Sequence, residues 1–132
     1  MTQRNWRVLI ADDDPAICTL IETVLRNGPY DVTVRNDAES ALIAIDAASY
    51  DVVICDFMLP GISGIDLVEQ LRAQERTRAL PVLMVSGHSN HAMDGRAKSA
   101  GANLFLNKPF TIAQLRAAIN SLLAEPHAQP VS

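Results

Sequence analysis

The sequence predicts an α/β fold, with five βα units wound into one parallel sheet that carries helices on both faces. Three observations point there. Short apolar runs recur at residues 7–11, 31–35, 51–55, 81–85 and 103–107. A longer stretch with helical apolar spacing follows each run, most with a start signal of their own. The links between runs and helices are short, and strict alternation with short links forces right-handed crossovers and parallel pairing.

The first run, Val8-Leu9-Ile10-Ala11, is continuously apolar, as a strand buried on both faces should be. Asp14-Pro15 then supplies an N-cap followed by proline at the first helical position. Ile17, Leu20, Ile21, Val24 and Leu25 form one apolar helix face, which Gly28-Pro29 ends. The second run, Val32-Thr33-Val34-Arg35, alternates apolar with polar residues and suits an edge strand. Asp37 caps the second helix, with Ala41, Leu42 and Ile45 inward. The third run, Val52-Val53-Ile54-Cys55, precedes a helix opened by Ser63-Gly64, with Ile65, Val68 and Leu71 inward. The fourth, Val82-Leu83-Met84-Val85, leads to a weaker helix over 89–100, short of large apolar residues and holding Gly95 and Ser99. It is expected to be the least rigid helix. The fifth run, again read as buried, leads to a capping box, Thr111 with Gln114, before Ile112, Leu115, Ile119 and Leu122. Five strands in this pattern favour the flavodoxin-like order 2-1-3-4-5, with a site at the switch point between the first and third strands. One domain is expected over 1–125, with 126–132 a frayed, proline-rich tail.

The bulk numbers exclude several classes. The 132 residues can bury one real core. A net charge of −4 without a basic stripe speaks against direct nucleic-acid binding. No apolar run reaches the length of a membrane span and residues 1–5 hold no secretory segment, so the expected location is the cytoplasm. Cys18 and Cys55 form no CxxC pair and read as reduced core residues. His88 and His91 lack further metal-ligating partners and read as loop and helix-start residues. Arg72, Arg76 and Arg78 read as a solvated basic face.

The strand tips carry the chemistry. The first ends in Asp12-Asp13-Asp14 and the third in Asp56. In a parallel sheet these tips share one edge. Unit charges ~4 Å apart repel by about 4 kcal/mol at an effective dielectric of ~20. A hard divalent cation relieves that repulsion, and Mg²⁺ suits a few carboxylates, a carbonyl and waters. The fourth strand ends in Ser86-Gly87, and Lys108-Pro109 follows the fifth. Lys108 is one of only two lysines; it can neutralise anionic oxygens, and a serine hydroxyl can donate to them. The proline after it biases Lys108 towards an extended backbone and admits a cis bond. Metal-binding carboxylates, a carboxylate placed to attack, a hydroxyl and a cation are the equipment for moving a phosphoryl group.

Four strings, VLIADDDP, DFMLPGISG, LPVLMVSG and AGANLFLNKPF, strongly resemble the receiver domain of two-component response regulators. The likeness runs from residue 7 to about 124, and all four strings in order at strand ends are highly specific. The resemblance implies a phosphorylation-activated signalling switch rather than an enzyme, with Asp56 as phosphoacceptor. Asp13 is then the direct Mg²⁺ ligand, Asp12 acts largely through water, and Met58 offers its backbone carbonyl. Ser86 and Lys108 match the family's hydroxyl and lysine positions. Phe105 matches the aromatic switch position, without the hydroxyl a tyrosine would bring. The implied partners are a sensor histidine kinase or histidine phosphotransfer protein and a downstream protein on the face formed by 89–124. A phosphorylation-linked homodimer stays open. Ala11, Ser63 and Asn107 depart from the commonest family pattern without touching the chemistry.

Taken alone, each feature has a blander reading. An aspartate triplet is a solvated turn and cap, and Asp14 is expected to be only the cap. Ser86 alone is a strand-end hydroxyl, and Phe105 a core-edge aromatic. Two other functions compete. A haloacid-dehalogenase-like phosphatase also uses a strand-end aspartate with metal, hydroxyl and lysine, but needs a late acidic pair, and Glu125 is the only acid after Lys108. A pseudo-receiver scaffold would not need Asp13, Asp56, Ser86 and Lys108 together.

Overall fold

A computed structural model describes residues 5–87 and 91–124, the side chains of 91–94 and 124 excepted. Five parallel strands stand in the order β2-β1-β3-β4-β5: β1 (Trp6–Ala11), β2 (Tyr30–Arg35), β3 (Val52–Asp56), β4 (Val82–Ser86) and β5 (Leu104–Asn107). The helices are α1 (Pro15–Arg26), α2 (Ala38–Ala47), α3 (Gly64–Ala73), α4 (His91–Ala100) and α5 (Ile112–Ala124). This is the flavodoxin-like order expected from the sequence. The tail 126–132, His88 and the expected start of the fourth helix at Ser89 lie outside the described residues.

The period of two along each strand divides the core. Leu9, Ala11, Val53, Cys55, Val82 and Met84 point to the face covered by α2 and α3, where Ala97 of α4 is also buried. Val8, Ile10, Val52, Ile54, Leu83 and Val85 point to the face covered by α1 and α5. Both faces are covered by helices, so the central strands read as unbroken apolar runs. Edge strand β2 is only half-buried, as its alternation predicted. β5 is half-buried as well, although its run reads as buried. It is the other edge, and apolar content does not reveal how many strand neighbours a segment has.

The helix starts are fixed by local bonds. Asp14 accepts from the Ala16 N–H at 2.9 Å and Asp37 from the Ser40 N–H at 2.7 Å. Ser63 accepts from the Asp66 N–H at 3.1 Å. Thr111 and Gln114 form the reciprocal capping box at 2.9 and 3.0 Å. Each satisfies N–H groups that the first helical turn leaves without partners. Among the described side chains of α4, Gly95 to Ala100, only Ala97 is buried.

The arginine cluster is only in part a solvated face. Arg72 is half-buried and donates from Nε and Nη2 to the Gly101 carbonyl at 3.1 and 2.8 Å. Nη2 also reaches Asn103 Oδ1, and Nη1 the Thr77 carbonyl, each at 3.1 Å. Asn103 Oδ1 in turn accepts from the Val82 N–H at 2.8 Å, where β4 begins. One guanidinium thus ties the end of α3 to the α4–β5 turn. Gly101 suits the turn twice over, with φ +116 and with Arg72 atoms 2.8 Å from where a Cβ would stand. Arg76 donates to the Ile45 and Ala48 carbonyls and lies 3.6 Å from Asp46. Charge patterning placed these arginines in solvent because it cannot see carbonyls brought up from other segments. Arg78 alone is simply exposed.

Arg72→Ala should lower stability by about 2–4 kcal/mol, since several charge-assisted bonds to backbone go at once. Lysine should recover little, having no fork to span Gly101, Asn103 and Thr77. Urea unfolding of the three proteins measures both effects, and a loss under 0.5 kcal/mol for alanine would contradict the clamp.

Candidate functional site

Register brings the site together. Ala11 lies opposite Cys55 in the β1–β3 pair, so the next residues, Asp12 and Asp56, emerge side by side. Ser86 lies opposite Asn107 in the β4–β5 pair, and the Lys108 N–H donates to the Ser86 carbonyl at 2.8 Å. Four strand ends therefore deliver Asp12 and Asp13, Asp56, Ser86 and Lys108 to one edge. The Lys108–Pro109 bond is cis.

Asp12 is 1% and Asp56 6% exposed, whereas Asp13 is exposed. Lys108 Nζ stands between the two buried acids, 3.1 Å from Asp12 Oδ2 and 3.3 Å from Asp56 Oδ2. Asp12 Oδ1 accepts from the Asp14 N–H at 2.9 Å, and Asp56 Oδ1 from the Met58 N–H at 3.2 Å. Carboxylate oxygens of Asp12, Asp13 and Asp56 lie within 4.8 Å of one another. Three acids against one ammonium leave an excess of negative charge beside oxygen donors, and that donor set fits a hard divalent cation. Met58 is 61% exposed, and its N–H is the group that reaches Asp56.

The pKa shifts follow from this crowding. Burial, and then the Asp12 charge, push the Asp56 carboxyl up to about 6, against the pull of the Met58 N–H and Lys108. Burial works against the Lys108 ammonium, but Asp12 and Asp56 more than reverse it, so its pKa ends above the usual lysine value. Burial, assisted by Asp12, raises the Cys18 thiol to about 11, and burial raises Cys55 further still. Both cysteines are free thiols in the core, as expected.

Two features escaped the sequence reading. A Cβ at Gly64 would stand 2.3 Å from the Asp56 carbonyl oxygen, so glycine is what lets α3 begin against the loop after Asp56. Its N–H donates to the Phe57 carbonyl at 2.9 Å and closes that loop. Asn36 donates from Nδ2 to the Asp12 carbonyl at 3.0 Å. A polar residue just past an edge strand carries no sequence signal of that contact. Ser86 is buried at the tip of β4. Phe105, half-buried on β5 opposite Met84, packs against the core on the α2–α3 face. It is thus a core-edge aromatic in position.

Residues 8–120 match the response regulator receiver domain. The chain belongs to that family. It is 32% identical over 120 residues to the chemotaxis protein CheY-3 of Vibrio cholerae, covering 90% of this chain and 92% of that one. Against the chemotaxis protein CheY of Pseudomonas aeruginosa the identity is 33% over 117 residues, 88% of this chain and 94% of the relative. The DNA-binding response regulator MtrA of Mycolicibacterium smegmatis matches 98% of this chain at 32% identity, and the match spans 56% of that longer protein. Among solved structures, a putative response regulator from Chloroflexus aurantiacus superposes with a TM-score of 0.88 at 34% identity, over 92% of this chain and 100% of that one. The receiver domain of a sensor histidine kinase from Pseudomonas aeruginosa, solved with a magnesium ion coordinated in its active-site cleft, gives 0.84 at 28% identity, over 92% and 99%. Receiver domains are signalling modules that work with histidine kinases and phosphotransfer proteins. The haloacid-dehalogenase alternative gains nothing: residues 109–124 carry no acid to form its second pair.

The raised Asp56 pKa has a sign that stability can read. A folded value near 6, above the unfolded 3.8, means that the ionised carboxylate opposes folding. The penalty builds as pH rises from about 4 to about 6 and stays above that. Asp56→Asn should therefore be more stable than the parent at pH 7 in chelator, by ~1–3 kcal/mol. The gain should shrink as pH falls towards 4, as melting at both pH values would measure.

Proposed function

We propose that this receiver domain is a phosphorylation-controlled switch with Asp56 as its phosphoacceptor. The observation that carries the reading is the convergence of Asp12, Asp13, Asp56 and Lys108, with oxygens of the three acids within 4.8 Å and the ammonium between two of them. The phosphodonor is a phosphohistidine on a sensor histidine kinase or a histidine phosphotransfer protein. An Asp56 carboxylate oxygen attacks phosphorus in line. The N–P bond breaks, its electron pair stays on the imidazole nitrogen, and an aspartyl phosphate forms.

Lys108 is placed to follow the charge. It already contacts Asp56 Oδ2, and it pairs with phosphoryl oxygens once they arrive. The Ser86 hydroxyl donates to another of those oxygens. Asp13, Asp12, Asp56 and the Met58 carbonyl would hold Mg²⁺, which when bound offsets negative charge on the acids and the phosphoryl group. Asp13 is the principal ligand in this reading. Both Asp12 oxygens already accept bonds, from the Asp14 N–H and from Lys108, so its part runs through water. Attack by water on the aspartyl phosphate returns the domain to rest, which is the extent of its own catalysis. The receiver unit is assigned to 1–125, with 126–132 as a tail, and to the cytoplasm. Among the described residues no helix is long and apolar enough to cross a membrane.

Output follows from the thin packing of α4 between Gly95 and Ala100. A phosphoryl group draws Ser86 inward and moves the loop after β4. Phe105 turns into the space so opened and gains apolar burial. α4 resists little, since Ala97 is its buried residue between Gly95 and Ala100. The face from 89 to 124 then presents a changed surface to a downstream protein, or to a second copy. The phosphoryl group needs only to favour one of two states by a few kcal/mol.

With Mg²⁺ and acetyl phosphate the parent should gain one alkali-labile phosphoryl group, read by intact mass. Asp56→Asn should gain none, and an equally modified variant sinks the assignment. Beryllofluoride with Mg²⁺ should shift backbone NMR signals over residues 87–107 as well as around Asp13 and Asp56. Shifts confined to the two acidic loops would remove this route to output.

A further inference from the structure

We infer that Asn36 is a positioning residue for the acidic loop, fixing the Asp12–Asp13 peptide and through it the metal-binding carboxylate of Asp13. The inference rests on the metal reading of the site given above. β1 and β2 pair as far as Ala11 and Arg35. Beyond that register the Asp12 N–H still donates to the Arg35 carbonyl at 3.1 Å, but the chains then part. The Asp12 carbonyl would next accept from a backbone N–H had the ladder continued. It accepts instead from Asn36 Nδ2 at 3.0 Å and, more weakly, from the Cys18 thiol at 3.4 Å. Because the partner is a carbonyl, the amide must present its NH₂ there.

The Asn36 amide therefore stands in for the missing ladder bond at the point where β1 ends and the acidic turn begins. The carbonyl of Asp12 and the N–H of Asp13 belong to one rigid peptide plane. Holding the carbonyl sets the direction in which the chain leaves Asp12, and so where the exposed Asp13 carboxylate lies. The Asp12 side chain is pinned independently by the Asp14 N–H and Lys108. Asp13 has no such anchor described for its side chain, so its place depends most on the peptide before it. Without Asn36 a thiol remains, a weak donor that cannot hold the plane as firmly. Asn36 is exposed, and its described contact is with the Asp12 backbone, not with Asp56, Ser86 or Lys108. Its loss should act on cation affinity and leave the reacting groups in place. Removing partners one shell out from a metal ligand commonly costs tenfold or more in affinity.

The test is a Mg²⁺ titration of the full chain followed by calorimetry, on the parent, Asn36→Ala and Asp13→Ala. Asn36→Ala should weaken Mg²⁺ roughly tenfold, with Asp13→Ala weaker still. Acetyl phosphate labelling then separates positioning from general damage. At limiting Mg²⁺ the alanine variant should label more slowly than the parent, and at saturating Mg²⁺ the rates should converge. Unchanged Mg²⁺ affinity in Asn36→Ala overturns the inference while leaving the site reading intact. So does a labelling rate reduced equally at all Mg²⁺ concentrations. A parent that binds no Mg²⁺ sinks the metal reading itself, and the role of Asn36 with it.

Discussion

Asp12 and Asp56 lie almost wholly buried at adjacent strand ends, and the Lys108 ammonium between them is what makes that arrangement tolerable. Breaking a buried charge pair by removing one partner is far costlier than never having made it. The geometry around the pair follows from this. Lys108 must come from a segment outside β1 and β3, so the chain has to complete β5 before the site is neutralised. The Asp12–Lys108 contact spans 96 positions of sequence. The neutralisation is also incomplete, since three acids share one lysine and the Asp56 carboxyl is pushed up to about 6. Electrostatic stress confined to one edge is what a bound cation or a change of charge on Asp56 can relieve or redistribute.

The two ends of the sheet are built differently. At the carboxyl end, the loops are held by local bonds: Asn36 Nδ2 to the Asp12 carbonyl, the Met58 N–H to the Asp56 carboxylate, the Gly64 N–H to the Phe57 carbonyl. At the opposite end Arg72 bonds Thr77, Gly101 and Asn103 at once, and Arg76 bonds the carbonyls near the end of α2. α4 sits between the two regimes, with its C-terminal turn fixed by Arg72 through Gly101 and only Ala97 buried from Gly95 to Ala100. In the proposed switch this half of the helix is where few buried contacts have to be given up.

Strand order, the helical cover on both faces of the sheet and most helix starts were legible in the sequence. These rest on local patterns: unbroken apolar runs, Asp14-Pro15, Asp37, Ser63, and Thr111 with Gln114. Such signals act within a few residues, so one chain suffices to read them. The strand tips were legible for the same reason, as acids, serine and lysine each directly follow an apolar run. Only the tertiary structure decided what those groups touch. The contact of Lys108 with Asp12, the Asn36 bond to Asp12, the tight approach of Gly64 to Asp56 and the Arg72 clamp all join distant segments. β5 became half-buried and Arg72 half-sunk because burial depends on which segments become neighbours. Periodicity reports which face a residue takes, and only the assembled fold supplies the partner on that face.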